Sequence, residues 1–354
     1  MLLRIHRPVD SQASPQHRAM NHVGAVLMRR AGDPTHATSP EIAGCERGGP
    51  VRTGASGYPS DVKFAHLSSP AQPDAGVRLA VVVDAGAVFL DEILDDAPAT
   101  LQELIRRGDD ELARVTAYVG NAASSGVDPV PLSDLEHASA VLEPPVVIAV
   151  GLNYSAHSSE LNLKTDQAPT LFTLWPNSLA GHDHTTSWPR ELSEQVDYEA
   201  ELGVIIGRAA RNVSEEDALD YVWGYTVVND ITARNIQYSE TQWTRCKSFD
   251  GFTPTGPVAV TKDEVPDPQD LHVKTVLDGR VLQDSSTALM VRSVARLIAH
   301  ISGSTTLLPG TLISTGSPGG AGYSRDPQVF LQDGSTVTVS IDGIGELTTH
   351  CRMD

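Results

Sequence analysis

The segment DYEAELGVIIG, residues 197–207, decides how the chain is built, because acidic residues lead directly into a strongly apolar run. The run LGVIIG predicts a buried β-strand. Residues two apart in a strand share a face, so Glu199 and Glu201 point together while Ala200 and Leu202 point away. Two like charges about 6–7 Å apart at the mouth of a buried strand repel each other. The sequence therefore predicts that a cation or an arginine lies between them.

A third carboxylate follows the next apolar strand. The segment GYTVVND, residues 224–230, ends in Asp230, and SEEDALDYVWG before it predicts a helix capped by Ser214. Strand, helix and strand in this order predict a βαβ-like connection that brings Asp230 beside the two glutamates. Three carboxylates without Cys or His suit Mg²⁺ or Mn²⁺, and Ca²⁺ is also compatible. The alternative is that each acid is simply solvated at the end of its strand.

The overall charge excludes several classes of partner. The chain carries 26 Lys and Arg against 45 Asp and Glu, a formal charge of −19, which repels nucleic acid and anionic membranes. Its three cysteines show no disulfide framework and no CxxC pair for zinc. No apolar stretch approaches the about 18–20 residues of a membrane span, and the N-terminus lacks the apolar core of a secretory signal. We therefore expect a cytoplasmic protein that binds neither nucleic acid nor membrane.

Composition divides the 354 residues into three parts. Residues 1–60 hold seven Arg and no Lys against four acids and lack sustained periodicity, which predicts a disordered extension. Residues 61–144 predict a small domain with a hairpin in VRLAVVV and AVFLDEI, and helices in TLQELIRR and DDELARVTAYV. The proline pair in LEPPVVIAV marks the start of a larger domain, residues 145–354.

The larger domain reads mostly as strands. Its candidate strands are VVIAV, LGVIIG, GYTVVN, PVAV, HVKTVLDG, TLIST and TVTVSIDGIGELT. A second helix is predicted in MVRSVARLIAHIS. The fold class predicted for the chain is α+β and mainly β.

Several motifs of the larger domain occur in an order that resembles one family. They are GLNYSAHSSELN, DYEAELGVIIG, VWGYTVVNDITARNIQ, QWTRCKSFDGFTPTGPVAV, VLQDSST, LLPGTLISTGSPGGAG and DGIGEL. Together they resemble the fumarylacetoacetate hydrolase family over residues 145–350, of the acylpyruvate hydrolase or 2-hydroxyhepta-2,4-diene-1,7-dioate isomerase type. The resemblance implies a mixed β-sandwich roll with a small N-terminal α/β domain, and a homodimer. It also implies metal ligands at Glu199, Glu201 and Asp230.

The resemblance implies three catalytic residues. His157 and Glu160 match a His-x-x-Glu dyad on a lid segment, in which the carboxylate orients the imidazole as a general base. Lys247 matches an active-site lysine whose ammonium neutralises an enolate oxygen. A lysine-based pyruvate lyase with a Schiff base at Lys247 is the rival interpretation.

The resemblance also implies three substrate-binding residues. Arg234 and Gln237 would hold the carboxylate and carbonyl oxygens of the substrate, and Thr315 would offer its hydroxyl to the substrate's carboxylate. The alternatives are that Arg234 only pairs with an acid and that TGSPGGAG, residues 315–322, is a plain turn. Trp175 stands where a Lys-Pro is common in the family, which predicts a more apolar pocket wall and a bulkier, less acidic acyl tail.

These residues favour a catabolic hydrolase that cleaves a carbon–carbon bond of a small 2-oxo acid through a metal-stabilised pyruvate enolate. The same site could instead decarboxylate an oxaloacetate-like acid or isomerise a hydroxydiene dioate. A non-catalytic binding protein with the same fold is the remaining alternative. His182 and His184 in GHDHTT are too few for a zinc site, and no G-x-S-x-G elbow indicates a serine hydrolase.

Overall fold

The computed structural model describes residues 62–120, 127–154 and 168–354. The predicted disordered extension, residues 1–60, lies outside the described residues, and so do His157 and Glu160. The described part is mainly β, as predicted. None of its helices is long and apolar enough to span a membrane.

The described ranges contain eighteen strands. In chain order they are β1 (Lys63–Ser68), β2 (Arg78–Val83), β3 (Gly86–Phe89), β4 (Glu136–His137), β5 (Val147–Gly151), β6 (Thr170–Leu174), β7 (Leu179–Ala180), β8 (His184–Trp188), β9 (Val196–Asp197), β10 (Ala200–Ile206), β11 (Val222–Asn229), β12 (Thr232–Ala233), β13 (Thr253–Thr261), β14 (His272–Leu277), β15 (Arg280–Ser286), β16 (Leu312–Ser314), β17 (Thr336–Ile341) and β18 (Gly345–Met353). Every strand predicted in the larger domain is present, and the last predicted segment forms the hairpin of β17 and β18.

The strands form three sheets. The largest has the order β3-β2-β1-β13-β11-β10-β16-β5-β6, with β4 beside β1 and β7 beside β13. A second sheet has the order β15-β14-β17-β18-β8, and β12 pairs with β9. Most pairs are antiparallel, but β16 with β5, β13 with β7 and β18 with β8 are parallel. The sheets are therefore mixed, as the family resemblance implies.

Two large sheets enclose the core as a sandwich. Strand β10 is buried along its whole length and alternates between two apolar clusters. Leu202, Val204 and Ile206 face one cluster, which also contains Val339 of the second sheet. Ile205 faces the other cluster. This period-two alternation buries both faces of β10, which starts directly after Glu199 and contains Glu201.

Helices are few and short. They are α1 (Leu90–Ile93), α2 (Leu101–Arg107), α3 (Asp109–Gly120), α4 (Arg234–Ser239) and α5 (Val294–Ser302). The predictions of α2, α3 and α5 are confirmed. Side-chain caps explain two of the starts: the hydroxyl of Thr100 accepts the N–H of Glu103, and that of Ser293 accepts the N–H of Arg296.

The predicted helix within residues 214–224 is wrong. Ser214 does accept the N–H of Asp217, as a helix cap would, but the chain forms only a 3₁₀ turn, Ala218–Tyr221, before β11 begins. The βαβ-like connection is also wrong, because β10 and β11 are antiparallel neighbours. Asp230 still returns beside the glutamates, since the end of one antiparallel strand lies opposite the start of the other.

The predicted hairpin of the N-terminal region is confirmed by the antiparallel pairing of β2 with β3. Strand β1 continues this group into the largest sheet by pairing with β13, with Lys63 opposite Val260 and Phe64 opposite Ala259. The domain boundaries at residues 60 and 144 stay predictions.

A buried histidine joins β1 to the start of α2. The Nε2 atom of His66 accepts the N–H of Leu101 at 3.1 Å, and its Nδ1 lies 3.1 Å from the carbonyl oxygen of Ser139. This arrangement fits the neutral tautomer with its proton on Nδ1. Burial lowers the pKa of His66 from 6.5 to about 4.

Candidate metal centre and active site

The three predicted carboxylates meet at one point. Asp230 directly follows β11, and its N–H donates to the carbonyl oxygen of Glu199 at 2.9 Å. Glu199, Glu201 and Asp230 each offer a carboxylate oxygen, and these oxygens lie within 4.8 Å of one another. Each residue is at most 5% exposed. The grouping predicted from the sequence is present, although the connection predicted to produce it is not.

The environment of these carboxylates suits a cation. Oε2 of Glu201 accepts the hydroxyl of Ser314 at 2.5 Å and the N–H of Gly316 at 2.8 Å. Oδ1 of Asp230 is buried without a hydrogen-bond partner among the described residues. An unpartnered buried carboxylate oxygen is costly unless something positive binds it. The residues therefore fit a hard divalent cation with oxygen ligands.

Lys247 lies among the same carboxylates. Its ammonium donates to Oε2 of Glu199 at 2.7 Å, to Oδ2 of Asp230 at 2.5 Å and to the hydroxyl of Thr232 at 2.9 Å. These contacts use all three N–H donors of the ammonium. Lys247 is the last residue of the short 3₁₀ turn Arg245–Lys247 and follows Glu199 by 48 residues in the chain.

Arg234 is held by protein acids. Its Nε donates to Oδ1 of Asp197 at 2.6 Å, its Nη2 to Oε1 of Glu199 at 2.7 Å and its Nη1 to Oε1 of Gln237 at 2.9 Å. Pairing with an acid was the alternative left open for Arg234, and these contacts match it. In this arrangement the guanidinium positions Glu199. Its predicted contact with a substrate carboxylate stays a prediction.

The site carries an excess of buried negative charge. Four buried carboxylates, the predicted three and Asp197, face two buried cations, Lys247 and Arg234. With all groups ionised, the formal charge is −2, which one divalent cation balances. Isolated buried charge is strongly unfavourable, so the charge balance supports a divalent ion at this position.

The pKa directions follow from this crowding. Burial, then the charges of Asp230 and Glu199, raise the pKa of Glu201 well above its ordinary value. Burial raises the pKa of Asp230 to about 6, against the opposing effect of Lys247. Burial alone would lower the pKa of Lys247, but Asp230 and Glu199 outweigh it and raise that pKa. Lys247 therefore stays protonated as an ammonium.

The glycine-rich loop, residues 315–322, lies beside the carboxylates. The hydroxyl of Thr315 is buried and donates to the carbonyl oxygen of Leu202 at 2.8 Å. Ser317, two residues later, lines the cavity at the carboxylates. Its hydroxyl accepts an N–H of Gln283 at 2.9 Å. The substrate-binding role of Thr315 stays a prediction, and Ser317 is the loop side chain that reaches the cavity.

A cavity lies at the carboxylates, and the space in it that a water-sized molecule can reach is about 20 Å³. Such a volume holds about one water molecule. The described residues that line it are Val150, Gly151, Leu152, Phe172, Glu199, Glu201, Asp230, Gln237, Trp243, Lys247 and Ser317. Of the nine predicted site residues, five line the cavity, and Arg234 contacts one of these five, Glu199. His157 and Glu160 lie outside the described residues.

Several residues of the site were not predicted from the sequence. Asp197 lies two residues before Glu199, so the period-two argument that paired the glutamates could have included it. Ser314 and Trp243 carried no such signal, because their contacts depend on distant segments. Trp175, expected in the pocket wall, is 47% exposed and does not line the described cavity.

The histidines of GHDHTT do not form a metal group. Nδ1 of His182 accepts the N–H of Thr348 at 3.1 Å, which places the proton of its neutral form on Nε2. Among the described residues, Glu199, Glu201 and Asp230 are the one group of His, Cys, Asp or Glu that meets the geometry of a metal site.

Comparison with known proteins agrees with this site. Residues 146–352 match the family described as fumarylacetoacetate (FAA) hydrolase C-terminal. An uncharacterised protein of Staphylococcus haemolyticus is 40% identical over 225 residues, which are 64% of this chain and 74% of that protein.

Solved structures of similar fold include enzymes. A fumarylacetoacetate hydrolase from Exiguobacterium antarcticum is 34% identical, with a TM-score of 0.70 over 83% of this chain and 100% of that chain. A maleylpyruvate hydrolase from Sphingobium is 28% identical, with a TM-score of 0.67 over 82% and 100%. A 2-hydroxyhepta-2,4-diene-1,7-dioate isomerase from Mycobacterium marinum is 30% identical, with a TM-score of 0.63 over 82% and 99%. The chain therefore belongs to the fumarylacetoacetate hydrolase family.

Proposed function

We propose that this protein is a divalent-metal-dependent hydrolase that cleaves a carbon–carbon bond of an acylpyruvate-type acid and releases pyruvate and a carboxylic acid. The observation that carries the proposal is the buried group Glu199, Glu201 and Asp230, with a carboxylate oxygen that has no partner among the described residues. Hydrolases among the relatives, one named for fumarylacetoacetate and one for maleylpyruvate, support the reaction class.

The three carboxylates would hold Mg²⁺ or Mn²⁺, with Ca²⁺ as a further candidate. Family members typically bind a divalent metal. When bound, the cation supplies positive charge to the oxygens of a 2-oxo acid and so favours a pyruvate enolate as the leaving group.

Lys247 would supply a fixed positive charge beside the leaving group. Because its ammonium donates all three N–H groups to protein acceptors, its nitrogen is not free to form a Schiff base, which argues against the lysine-based lyase. Gln237, which lines the cavity, would donate its amide to a substrate oxygen. Arg234 would keep Glu199 in place for the metal.

Water activation is assigned to His157, oriented by Glu160, as a general base. Substrate binding is assigned to the loop of Thr315, whose neighbour Ser317 lines the cavity. We further propose a homodimer in the cytoplasm, since family members often form oligomers. The division into residues 1–60, 61–144 and 145–354 is kept as part of the proposal.

Isomerisation is the second candidate, because one relative of 30% identity is a hydroxydiene dioate isomerase. An isomerase would need the same stabilised enolate but no water attack. Decarboxylation would also use this enolate, with carbon dioxide as the fragment that leaves. The three reactions differ in their products, so one assay separates them.

The test is a panel of acylpyruvates, oxaloacetate and a hydroxydiene dioate, assayed with Mg²⁺, Mn²⁺ or EDTA and analysed by mass. Hydrolysis yields two acids, decarboxylation yields carbon dioxide, and isomerisation leaves the mass unchanged. We expect two acids with either metal, loss of activity in EDTA, and loss of at least 100-fold in Asp230→Asn. Asp263→Asn, an exposed acid, is the matched control. Full activity in EDTA, or in Asp230→Asn, would contradict the proposal.

A further inference from the structure

The cavity has an apolar part that the mechanism does not use. Five of its eleven described lining residues are glycine, aliphatic or aromatic: Val150, Gly151, Leu152, Phe172 and Trp243. The two aromatic residues among them, Phe172 on β6 and Trp243 in the loop after α4, are called the aromatic wall below.

The aromatic wall lies next to the reacting groups. The rings of Phe172 and Trp243 meet edge to face, with centroids 5.5 Å apart. Nζ of Lys247 lies 5.5 Å from the centroid of the Phe172 ring. A substrate with an oxygen at Lys247 therefore lies near these rings.

The position of Trp243 depends on a glycine. A Cβ atom on Gly151 would lie 2.4 Å from Cζ3 of Trp243, so the indole occupies the space that any side chain at this position would fill. The indole therefore packs on the backbone at Gly151, the last residue of β5, and both residues line the cavity. The space in this cavity that a water-sized molecule can reach is about 20 Å³, so little room remains for a long substrate tail.

Among the described lining residues, no free cation is placed to bind a second carboxylate. Lys247 is the one cation among the described lining residues, and its three N–H groups already contact protein acceptors. Arg234 contacts Asp197, Glu199 and Gln237 and does not line the described cavity. A charged tail would therefore face the aromatic rings, which disfavours its binding.

We infer that the aromatic wall selects the substrate tail, and that this tail is short, apolar and uncharged. The inference rests on the proposed function, because it identifies the substrate class of the same site. It differs from the relatives named for dioate and maleylpyruvate substrates, whose names describe acids with a second carboxylate. It also moves the predicted apolar wall from Trp175 to Trp243 and replaces the predicted bulky tail with a short one.

The experiment compares kcat/KM of the Mn²⁺-loaded enzyme for acetylpyruvate, hexanoylpyruvate and fumarylpyruvate. We expect the wild type to prefer the methyl tail by at least about tenfold over each of the others, since each methylene in an apolar pocket is worth about 10-fold or more. Trp243→Ala should reduce the preference over hexanoylpyruvate at least tenfold, mainly through a lower KM for the long tail. Trp243→Phe should give an intermediate ratio. Trp175→Ala, an exposed tryptophan outside the described lining, is the control and should leave the ratio unchanged.

A wild type that prefers fumarylpyruvate would overturn the inference. So would folded Trp243 variants whose ratio stays within twofold of the wild type. If no acylpyruvate is cleaved, the proposed function fails, and calorimetric affinities for the same three acids then test the tail selection by itself. Equal affinities for the methyl and pentyl tails in that measurement would overturn the inference, and a tenfold preference abolished by Trp243→Ala would support it.

Discussion

Replacing Lys247 with methionine removes one buried charge and keeps most of the side-chain volume. In the wild type the ammonium is 3% exposed and contacts two of the three predicted metal ligands. Without it, the four buried carboxylates of the site face Arg234 alone. Breaking a buried ion pair by removing one partner costs about 3–5 kcal/mol. We expect Lys247→Met to lower the free energy of unfolding by that amount in EDTA.

The assay is urea unfolding at pH 8, in EDTA and in Mn²⁺. At this pH Asp230, whose pKa is raised to about 6, is in its charged form. In Mn²⁺ the variant should recover more stability than the wild type, because the ammonium no longer competes with the cation for the same carboxylate oxygens. A ligand at 100 times its Kd stabilises the folded state by about 2.7 kcal/mol. Catalytic activity should nevertheless be lost.

Lys262→Met, at an exposed position, is the matched control and should change stability by no more than about 0.5 kcal/mol. A cost for Lys247→Met below about 1 kcal/mol in EDTA would refute the description of the site as a cluster of mutually repelling buried charges. Equal stabilisation of wild type and variant by Mn²⁺ would refute the idea that metal and ammonium share ligands.

Three further predictions concern other parts of the chain. Burial lowers the pKa of His66 from 6.5 to about 4, so between these two pH values the unfolded chain binds a proton that the folded chain does not. The free energy of unfolding should therefore fall by about 3 kcal/mol as the pH falls through this window. In urea unfolding, the His66→Gln variant should lack this loss of stability, and the His300→Gln variant should retain it. Equal pH dependence of the two variants would contradict the role given to His66. Ser314→Ala should weaken Mn²⁺ binding about 10–100-fold in calorimetry, because Glu201 loses its hydroxyl donor, and an unchanged Kd would argue against that role. Gly224→Ala would place a Cβ 1.9 Å from a backbone oxygen of β13, so we expect it to lower the free energy of unfolding by about 1–3 kcal/mol. A wild-type melting temperature would show that β11 and β13 can separate at this position.

Local pattern was enough to find the centre of the site. Glu199 and Glu201 share a face because a strand has a period of two, and the apolar runs on either side of residues 208–221 identified β10 and β11. The same period, applied two residues further back, would have found Asp197. These inferences use only neighbouring residues, and the structure agrees with them.

Pairing between distant segments was not predictable in the same way. Whether β10 and β11 run parallel or antiparallel depends on the path between them, and a capped segment of SEEDALDY composition suits a turn as well as a helix. Likewise, nothing local shows that Trp243 packs on Gly151, about ninety residues earlier in the chain. The aromatic wall became visible only when both segments were placed in space.

The pairing of β1 with β13 limits how this enzyme can be shortened. A polypeptide reduced to residues 146–352, the range that matches the family, would lose the partner of Ala259 and Val260 and leave β13 as an open edge. It would also uncover the ring of Trp223, which packs against Phe64. Open edges beside apolar surface promote self-association. The family match covers residues 146–352, but we expect soluble expression to require the preceding strands as well.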